Sequence, residues 1–581
     1  MGIEEELRNL ARKLAFQNAI EHSGKAKPEA VVGKIINEKP ELKSRIKGLI
    51  ELIDQVVSEV NSLSLFEQKK IVEENWPEIL MKEKLEGENA LPHIPNFKKY
   101  ATITTRFSPN PDFVLHVGNA RALILSHEYA RIYDGKFLLR FEDTDPRLKK
   151  SALKFYDLIK EDMIWLNCKW DKEFIQSDRL EIYYEFCKKL IEIQGAYVCT
   201  CKKEMFEKLV QKSLACPCRS LSKEEHLERW ERMLSGLYKE GEAIVRIKTD
   251  IKHPNPAVRD WPAFRIIDTK RYPHPRVKEK YSVWPLYNFA CGIDDHLMGI
   301  THVIRGKEHI TNMVRQRYMY EHFGWEYPEA IHYGRLKILD ATLSKSKMIQ
   351  GIESKVYESF DDPRLATIAS LRRRGITPEA LKRFILDVGI KPVDVVLSWE
   401  NIHAYNRKII DPISNRYFFI PDPKEILIEN VPRVFDAKIN LHPDYPDRGF
   451  RYFKIEPKDG FAEMLVSKKD LEKFSSKGLI RLMELFNISI KGITDERAYA
   501  CFHSESYEEA KMINAPVIHW LTKEASIETK VLMPDASLLN GKGERWLLRE
   551  NQGSIVQLVR FGFGRVDSKT ESSVEICFAH S

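Results

Sequence analysis

One stretch constrains the fold more than any other: "YATITTRFSPNPDFVLHVGNARALILSHEYARIYDGKFLLRFED", residues 100–143. "YATITTRF" is β-branched and reads as a strand, and "SPNPDFVLHVG" is a loop punctuated by Pro and Gly. "NARALILSHEYARIY" repeats its apolar residues at helical spacing and stops at Asp134-Gly135; "KFLLRFED" alternates as a second strand. Strand, helix and strand at this spacing form a βαβ unit of a parallel sheet. The next strand candidate, "LYNFACGIDD" (286–295), lies far downstream, so the sheet is predicted to be interrupted by an insertion over 196–283.

With 581 residues, the chain exceeds what one hydrophobic core supports. Residues 1–95 read as helices, with "EEELRNLARKLAFQNAIEH" and "ELKSRIKGLIELIDQVVSEVNSL" carrying helical periodicity. "NALPHIPNFKKY" (89–100) reads as a linker. Beyond residue 400 the texture becomes short alternating runs between turns, among them "NRYFFIPDPKEILIENV" and "GSIVQLVRFGFGRVD", as in antiparallel sandwiches or barrels. The expected class is therefore multidomain α/β plus all-β. No run of 18 apolar residues occurs, which speaks against a membrane-spanning helix, and the start lacks the apolar segment of a signal peptide. Nine cysteines without such a signal are expected to be reduced cytoplasmic thiols. A net charge of +7 permits a nucleic-acid partner without demanding one.

His116-Val117-Gly118-Asn119 falls where the first strand's loop meets the helix. A helix start offers unpaired N–H groups and partial positive charge, which suits phosphate, and His116 can donate to a phosphate oxygen. "TLSKSK" (342–347) lies behind a strand-like segment, with Lys345 and Lys347 as point charges able to fold over a triphosphate. Taken singly, each pattern describes an ordinary solvated loop just as well.

Together with "RFSPNPDFVLHVGNAR", "RFEDTDPR", "WPLYNFACGIDDHLMGITHVIRGKEH" and "FDDPRLATIASLRRRGITPEAL", these motifs resemble the class I aminoacyl-tRNA synthetases, specifically the glutamyl-tRNA synthetases of archaeal and eukaryotic type. The resemblance implies a Rossmann-type core in two halves (96–195 and 284–345) around an inserted acceptor-end-binding domain (196–283). It also implies an N-terminal helical domain (1–95), a helical stem-contact region (346–400) and a β-barrel anticodon-binding region (401–581). The implied chemistry is formation of glutamyl-adenylate from L-glutamate, ATP and Mg2+, then transfer to tRNA(Glu), with tRNA(Gln) an open second acceptor. His116, Gly118, Asn119, Ser344 and Lys345 match the catalytic signatures, and Pro109 and Leu343 join them around ATP. Asn119 and Thr342 depart from the family consensus, which has His and Lys there. Arg106, Ser108, Glu142, Tyr287, Cys291 and Arg305 fall at the glutamate positions, Tyr287 and Cys291 on the expected 286–295 strand. Cys291 departs from the Asn of glutamate enzymes. Arg305 bears on specificity, since a guanidinium prefers a carboxylate to a neutral amide.

Cys199, Cys201, Cys216 and Cys218 form C-x-C…C-x-C with fourteen residues between the pairs. Four thiolates suit one structural Zn2+; reduced, partly buried thiols are the alternative. Arg372, Arg373 and Arg374 are candidate phosphate contacts, and Arg560 and Arg565 candidate anticodon contacts, with a helix end and plain barrel strands as the competing readings. The chain is expected to be a monomer without membrane contact, and residues 1–95 to dock a protein partner or touch RNA. A glutaminyl enzyme and a non-catalytic tRNA-binding paralogue are the rival functions.

Overall fold

The structure, a computed structural model, describes residues 2–21, 24–38, 50–76, 91–339, 344–476 and 478–581. Strands β1 (Thr104–Phe107), β2 (Lys136–Phe141) and β3 (Lys172–Ile175) pair in parallel in the order β1-β2-β3. The chain then leaves this sheet for a four-stranded antiparallel one: β4 (Ala196–Cys199), β5 (Ile244–Ile247), β6 (Pro262–Ile266) and β7 (Val283–Pro285). It returns with the parallel pair β8 (His302–Gly306) and β9 (Glu329–Tyr333). Thr301, one residue before β8, donates its N–H to the Thr104 carbonyl at 2.9 Å, and Thr104 N–H bonds Thr301 Oγ1 at 2.8 Å. β8 is thereby laid along β1, giving the spatial order 3-2-1-8-9 of a doubly wound sheet. In such sheets the ligand crevice lies where the order reverses, here between the ends of β1 and β8.

The helix Val117–Ile132 packs on this sheet. Val117, Ala120, Leu123, Ile124, Tyr129 and Ala130 are fully buried, in one core with Phe137, Leu139 and Phe141 of β2.

Residues 286–295 correct the sequence expectation. They are not a strand but the start of the helix Tyr287–Leu297, with Leu286 as its N-cap. The run is apolar on nearly every residue, so periodicity alone cannot separate a buried strand from a buried helix. Tertiary packing decides it: Phe289, Ala290 and Ile293 enter the core beneath the inserted sheet. Tyr287, Cys291 and Asp295, four residues apart, share the opposite face.

In the C-terminal region, a seven-stranded sheet runs Asn415–Tyr417, Ile555–Leu558, Gly562–Lys569, Ser573–His580, Ser526–Leu532, Leu538–Glu544, Phe419–Pro421. Its two terminal strands are consecutive in sequence, separated only by Phe418. The sheet must curl until its ends meet, which removes the free edges. A second sheet of six strands, drawn from 423–518, is threaded between the halves of the first. The buried pair Arg451–Glu544 ties a separate two-stranded hairpin, Phe435–Asn440 with Phe450–Ile455, to the seven-stranded sheet.

Near the N-terminus, four helices (Gly2–Glu21, Pro28–Glu38, Ile50–Asn61 and Leu65–Asn75) enclose a core of their own around Phe16, Ile53, Val56 and Val60. Ser64 caps the fourth helix through a capping box with Glu67. Among the described residues, no helix is long and apolar enough to cross a membrane.

Gly541 sits where the barrel closes: a Cβ there would lie 2.4 Å from the Ile420 carbonyl and 2.7 Å from the Phe419 ring. Gly541→Ala is therefore expected to destabilise the protein by about 1–3 kcal/mol, read as a lowered denaturant midpoint.

Candidate active site

His116 is the N-cap of the Val117–Ile132 helix. Its Nδ1 accepts from Gly118 N–H at 3.0 Å, while Asn119 Oδ1 accepts from His116 N–H at 3.2 Å. The turn satisfies its own donors, since Val117 N–H bonds the Ala366 carbonyl at 3.1 Å and Asn119 N–H the His116 carbonyl at 2.9 Å. This corrects the expectation of unpaired backbone N–H groups awaiting phosphate. What the turn offers instead is side-chain donors. Burial, helped by the charge of Lys345, lowers the His116 pKa to about 4. A neutral imidazole whose Nδ1 accepts carries its proton on Nε2, as a hydrogen-bond donor. Asn119, its Oδ1 occupied, keeps an amide NH2 beside the cavity. A Cβ at Gly118 would lie 2.8 Å from His116 Cε1, so the missing side chain makes room for the imidazole.

Lys345 opens the helix Lys345–Glu353, with Ser344 as N-cap, and pairs with Asp112 on the loop after β1. Asp112 lies four residues before His116, so this ion pair makes the two signature segments neighbours in space. Ser344 Oγ lies 3.2 Å from Ser346 Oγ. Leu343 and Thr342 lie outside the described residues.

A cavity of about 330 Å³ opens between the ends of β1 and β8. Arg106, Ser108, Pro109, Gly118, Asn119, Glu142, Tyr287 and Arg305, all singled out in the sequence, line it together. Glu142 is anchored at both ends: its N–H bonds the Pro109 carbonyl at 2.9 Å, and its carboxylate accepts from Arg140 Nη2 at 3.0 Å. Ser108 Oγ is buried with no partner. Cys291 lies behind this surface, 3.2 Å from Arg140 Nη2, and burial pushes its thiol up to about 12. Sequence reading missed Arg140 and Asp295, which lie behind the cavity lining and hold Glu142 and Arg106 from there. Asp295 takes Arg106 Nε at 3.1 Å and Arg140 Nη1 at 2.7 Å, and all three are buried. The two guanidinium groups hold the Asp295 carboxyl well below the usual carboxylate range. Asp295 was legible only as the i+4 neighbour of Cys291, once that segment is known to be helical.

Arg305 differs from the other two arginines. It is 5% exposed, and its partners are all neutral: Tyr287 Oη at 3.4 Å, Tyr327 Oη at 3.0 Å and Gln316 Oε1 at 3.2 Å. Its Nε has no partner. Among the described residues no carboxylate lies within ion-pair distance of it.

The arginines proposed for RNA divide. Arg374 is buried, donates to the Ala579 carbonyl at 2.9 Å and faces the Trp399 ring, so it is not a phosphate contact. Arg373 holds Asp567 at 2.8 Å, docking the Ile368–Arg374 helix onto the barrel. Arg372 stays partly exposed, 4.0 Å from the buried Asp162. Arg560 is engaged bidentately by Asp470 at 2.7 and 2.9 Å; Arg565 sits 3.7 Å from Asp567, in a cavity shared with Arg372.

In the inserted domain the sulfurs of Cys199, Cys201, Cys216 and Cys218 all lie within 4.8 Å of one another. Cys199–Cys216 measures 3.8 Å and Cys201–Cys218 3.7 Å. Zn–S bonds of about 2.3 Å place the corners of a tetrahedron about 3.8 Å apart, so the four thiols fit that ion.

Comparison with known proteins agrees with this geometry. Residues 102–412 match the catalytic domain of the class I (E and Q) tRNA synthetases, and residues 414–503 their anticodon-binding domain. The chain belongs to this family. Among its curated relatives are the glutamate--tRNA ligases of Pyrococcus furiosus, 51% identical over 99% of this chain and all of that protein, and of Thermococcus kodakarensis, 50% identical over 99% of this chain and all of that protein. That of Pyrobaculum calidifontis is 46% identical over 97% of this chain and 98% of that protein.

The charge cluster behind the cavity makes a stability prediction. Asp295 has a depressed folded-state pKa, so its contribution is complete above the unfolded value near pH 4 and is lost as pH falls towards the folded value. Asp295→Asn is expected to cost about 3 kcal/mol at pH 7, because it strands the buried Arg106 guanidinium and takes one of its carboxylates from Arg140, which keeps Glu142. It should also flatten the acid limb of a stability–pH curve followed by denaturant unfolding.

Proposed function

We propose that this chain ligates L-glutamate to tRNA(Glu) by way of glutamyl-adenylate formed from ATP. The observation that carries the reading is Arg305, a buried guanidinium without an ion-pair partner among the described residues, on the wall of a cavity that also presents Glu142. A buried cation is costly unless paired, and a ligand carboxylate supplies the missing charge. Glutamate fits end to end. Its γ-carboxylate meets Arg305, its α-ammonium meets Glu142, and its α-carboxylate lies towards the His116 turn. Glutamine would leave the Arg305 charge unpaired, so the glutaminyl alternative is disfavoured.

Adenylation needs no protein nucleophile. The glutamate α-carboxylate attacks the α-phosphorus of ATP, and pyrophosphate leaves. His116 Nε2–H, the Asn119 amide and Lys345 are the donors placed to stabilise charge on the phosphates. Magnesium would neutralise further phosphate charge. Lys345 exchanges its Asp112 partner for the nucleotide in this reading. The terminal ribose hydroxyl of the tRNA then attacks the mixed anhydride and releases AMP. An intact His116–Lys345 pair speaks against the non-catalytic alternative.

Arg372 and Arg565 remain the candidates for tRNA phosphate among the arginines named from sequence. One Zn2+ on the four cysteines would brace the inserted domain. Protein purified without chelator is expected to carry about one zinc per chain by elemental analysis, and Cys218→Ser to lose it. A disulfide between any two of these cysteines, or a metal-free wild type, would remove the zinc assignment.

The deciding assay charges purified tRNA(Glu) and tRNA(Gln) with labelled glutamate or glutamine. Glutamate should be joined to tRNA(Glu), and the tRNA(Gln) arm reports whether a second acceptor is used. Arg305→Gln should lower kcat/KM for glutamate about 1000-fold while leaving the KM for ATP nearly unchanged.

A further inference from the structure

The charge available at Arg305 depends on what holds it from behind. Gln316, on the helix Ile310–Phe323, is fully buried and faces the guanidinium. Its Oε1 accepts from Arg305 Nη2 at 3.2 Å and from Tyr327 Oη at 2.7 Å. Tyr327 Oη itself lies 3.0 Å from Arg305 Nη2. The Gln316 Nε2 donates to the Asn288 carbonyl at 3.4 Å, at the start of the helix that carries Tyr287. The amide is thus oriented from both ends. Its oxygen must face Arg305, because the opposite flip would set NH2 against a cation.

A glutamate side chain would fill the Gln316 position almost isosterically and form an ion pair with Arg305. The chain instead has the neutral amide. The titratable groups around Arg305 repeat the pattern. Burial raises the Tyr327 hydroxyl and the Cys291 thiol to about 12, and raises Tyr287 well above its ordinary value. His309 and His332 are pushed down to about 4 by burial first and then by Arg305. All five are neutral at pH 7. Of the cations around it, Arg106 is matched by Asp295, Lys149 lines the same cavity and Arg317 lies over the Tyr327 ring; Glu142 and Glu308 also line that cavity, outside ion-pair distance of Arg305.

We propose that Gln316, seconded by Tyr327, is a specificity-determining positioning residue: it fixes the Arg305 fork through neutral acceptors only, so that the full positive charge is kept for the ligand's side-chain carboxylate. Direction and charge are controlled separately. Gln316 and Tyr327 occupy Nη2 and set the plane of the fork, while no acid consumes its charge. The inference rests on the reading of Arg305 as the carboxylate-binding group.

The test is Gln316→Glu in the full-length enzyme, assayed for charging with glutamate and with glutamine. The introduced carboxylate pairs with Arg305 and neutralises the pocket. The KM for glutamate should rise about 100-fold, with kcat at saturation and the KM for ATP changed far less, and the preference for glutamate over glutamine should fall by a similar factor. Gln316→Met keeps the volume and adds no charge. It should raise the KM for glutamate about tenfold through a misdirected fork while preserving the preference over glutamine. Should Gln316→Glu fail to fold, an unchanged glutamate KM in Gln316→Met overturns the proposal on its own. A folded Gln316→Glu enzyme whose glutamate-to-glutamine preference stays within twofold of wild type also overturns it. Arg305→Gln separates the two levels. If that variant loses glutamate use and Gln316→Glu does not, only the role of Gln316 falls; if Arg305→Gln is silent, the pocket assignment itself is wrong.

Discussion

Three buried arginines and the way their charge is balanced govern the centre of this molecule. Arg106 and Arg140 share Asp295, and Arg140 also reaches Glu142 and Asp294, so each of these two arginines has carboxylate partners. Arg305 stands beside it with neutral partners only. An ion buried without its counter-ion is among the costliest arrangements a fold can contain. It persists because β8, the Tyr287–Leu297 helix and the Ile310–Phe323 helix are fixed by large cores elsewhere, and the cost turns into affinity for a ligand that carries the missing charge.

The same economy appears at the His116 turn. Its backbone donors are consumed inside the turn or by Ala366, and the groups left for a ligand are an imidazole N–H and an amide NH2. Side-chain donors held by backbone contacts are rigid without being strained, which suits electrostatic stabilisation of a charge that appears only during reaction. The positively polarised end of the Val117–Ile132 helix acts in the same direction.

The site is also stitched to the rest of the chain. Residues following Glu142 are tied to the inserted domain: the Asp143 carbonyl accepts from His274 Nε2 at 2.9 Å, Asp145 holds Arg265 at 2.6 Å, and Arg147 pairs with Glu240. On the other side, Arg373 and Arg374 bind the C-terminal barrel, and Ala366 and Ile368, just before them, pair with the backbone of 115–117. The inserted sheet and the barrel therefore both reach segments that carry active-site groups through short, mostly buried contacts. These contacts explain why two arginines that look like RNA ligands in the sequence are structural.

Local pattern was enough to determine the βαβ unit, the helical start and the β-rich end, because hydrophobic period and turn residues act over a few positions; the insertion was inferred from a segment that proved helical. His116, Gly118, Asn119, Glu142 and Arg305 were named from motifs that resemble a known family, and Gly118, Asn119, Glu142 and Arg305 share one cavity. Tertiary structure alone decided the rest. Whether 286–295 is strand or helix depended on which core its apolar residues enter. Whether an arginine is free, neutralised or waiting for a ligand depended on partners between 2 and more than 200 residues away, such as Glu142 for Arg140 and Ala579 for Arg374. Charge pairing acts through space and hydrophobic period along the chain, so only the folded chain could show that, among the described residues, no carboxylate lies within ion-pair distance of Arg305.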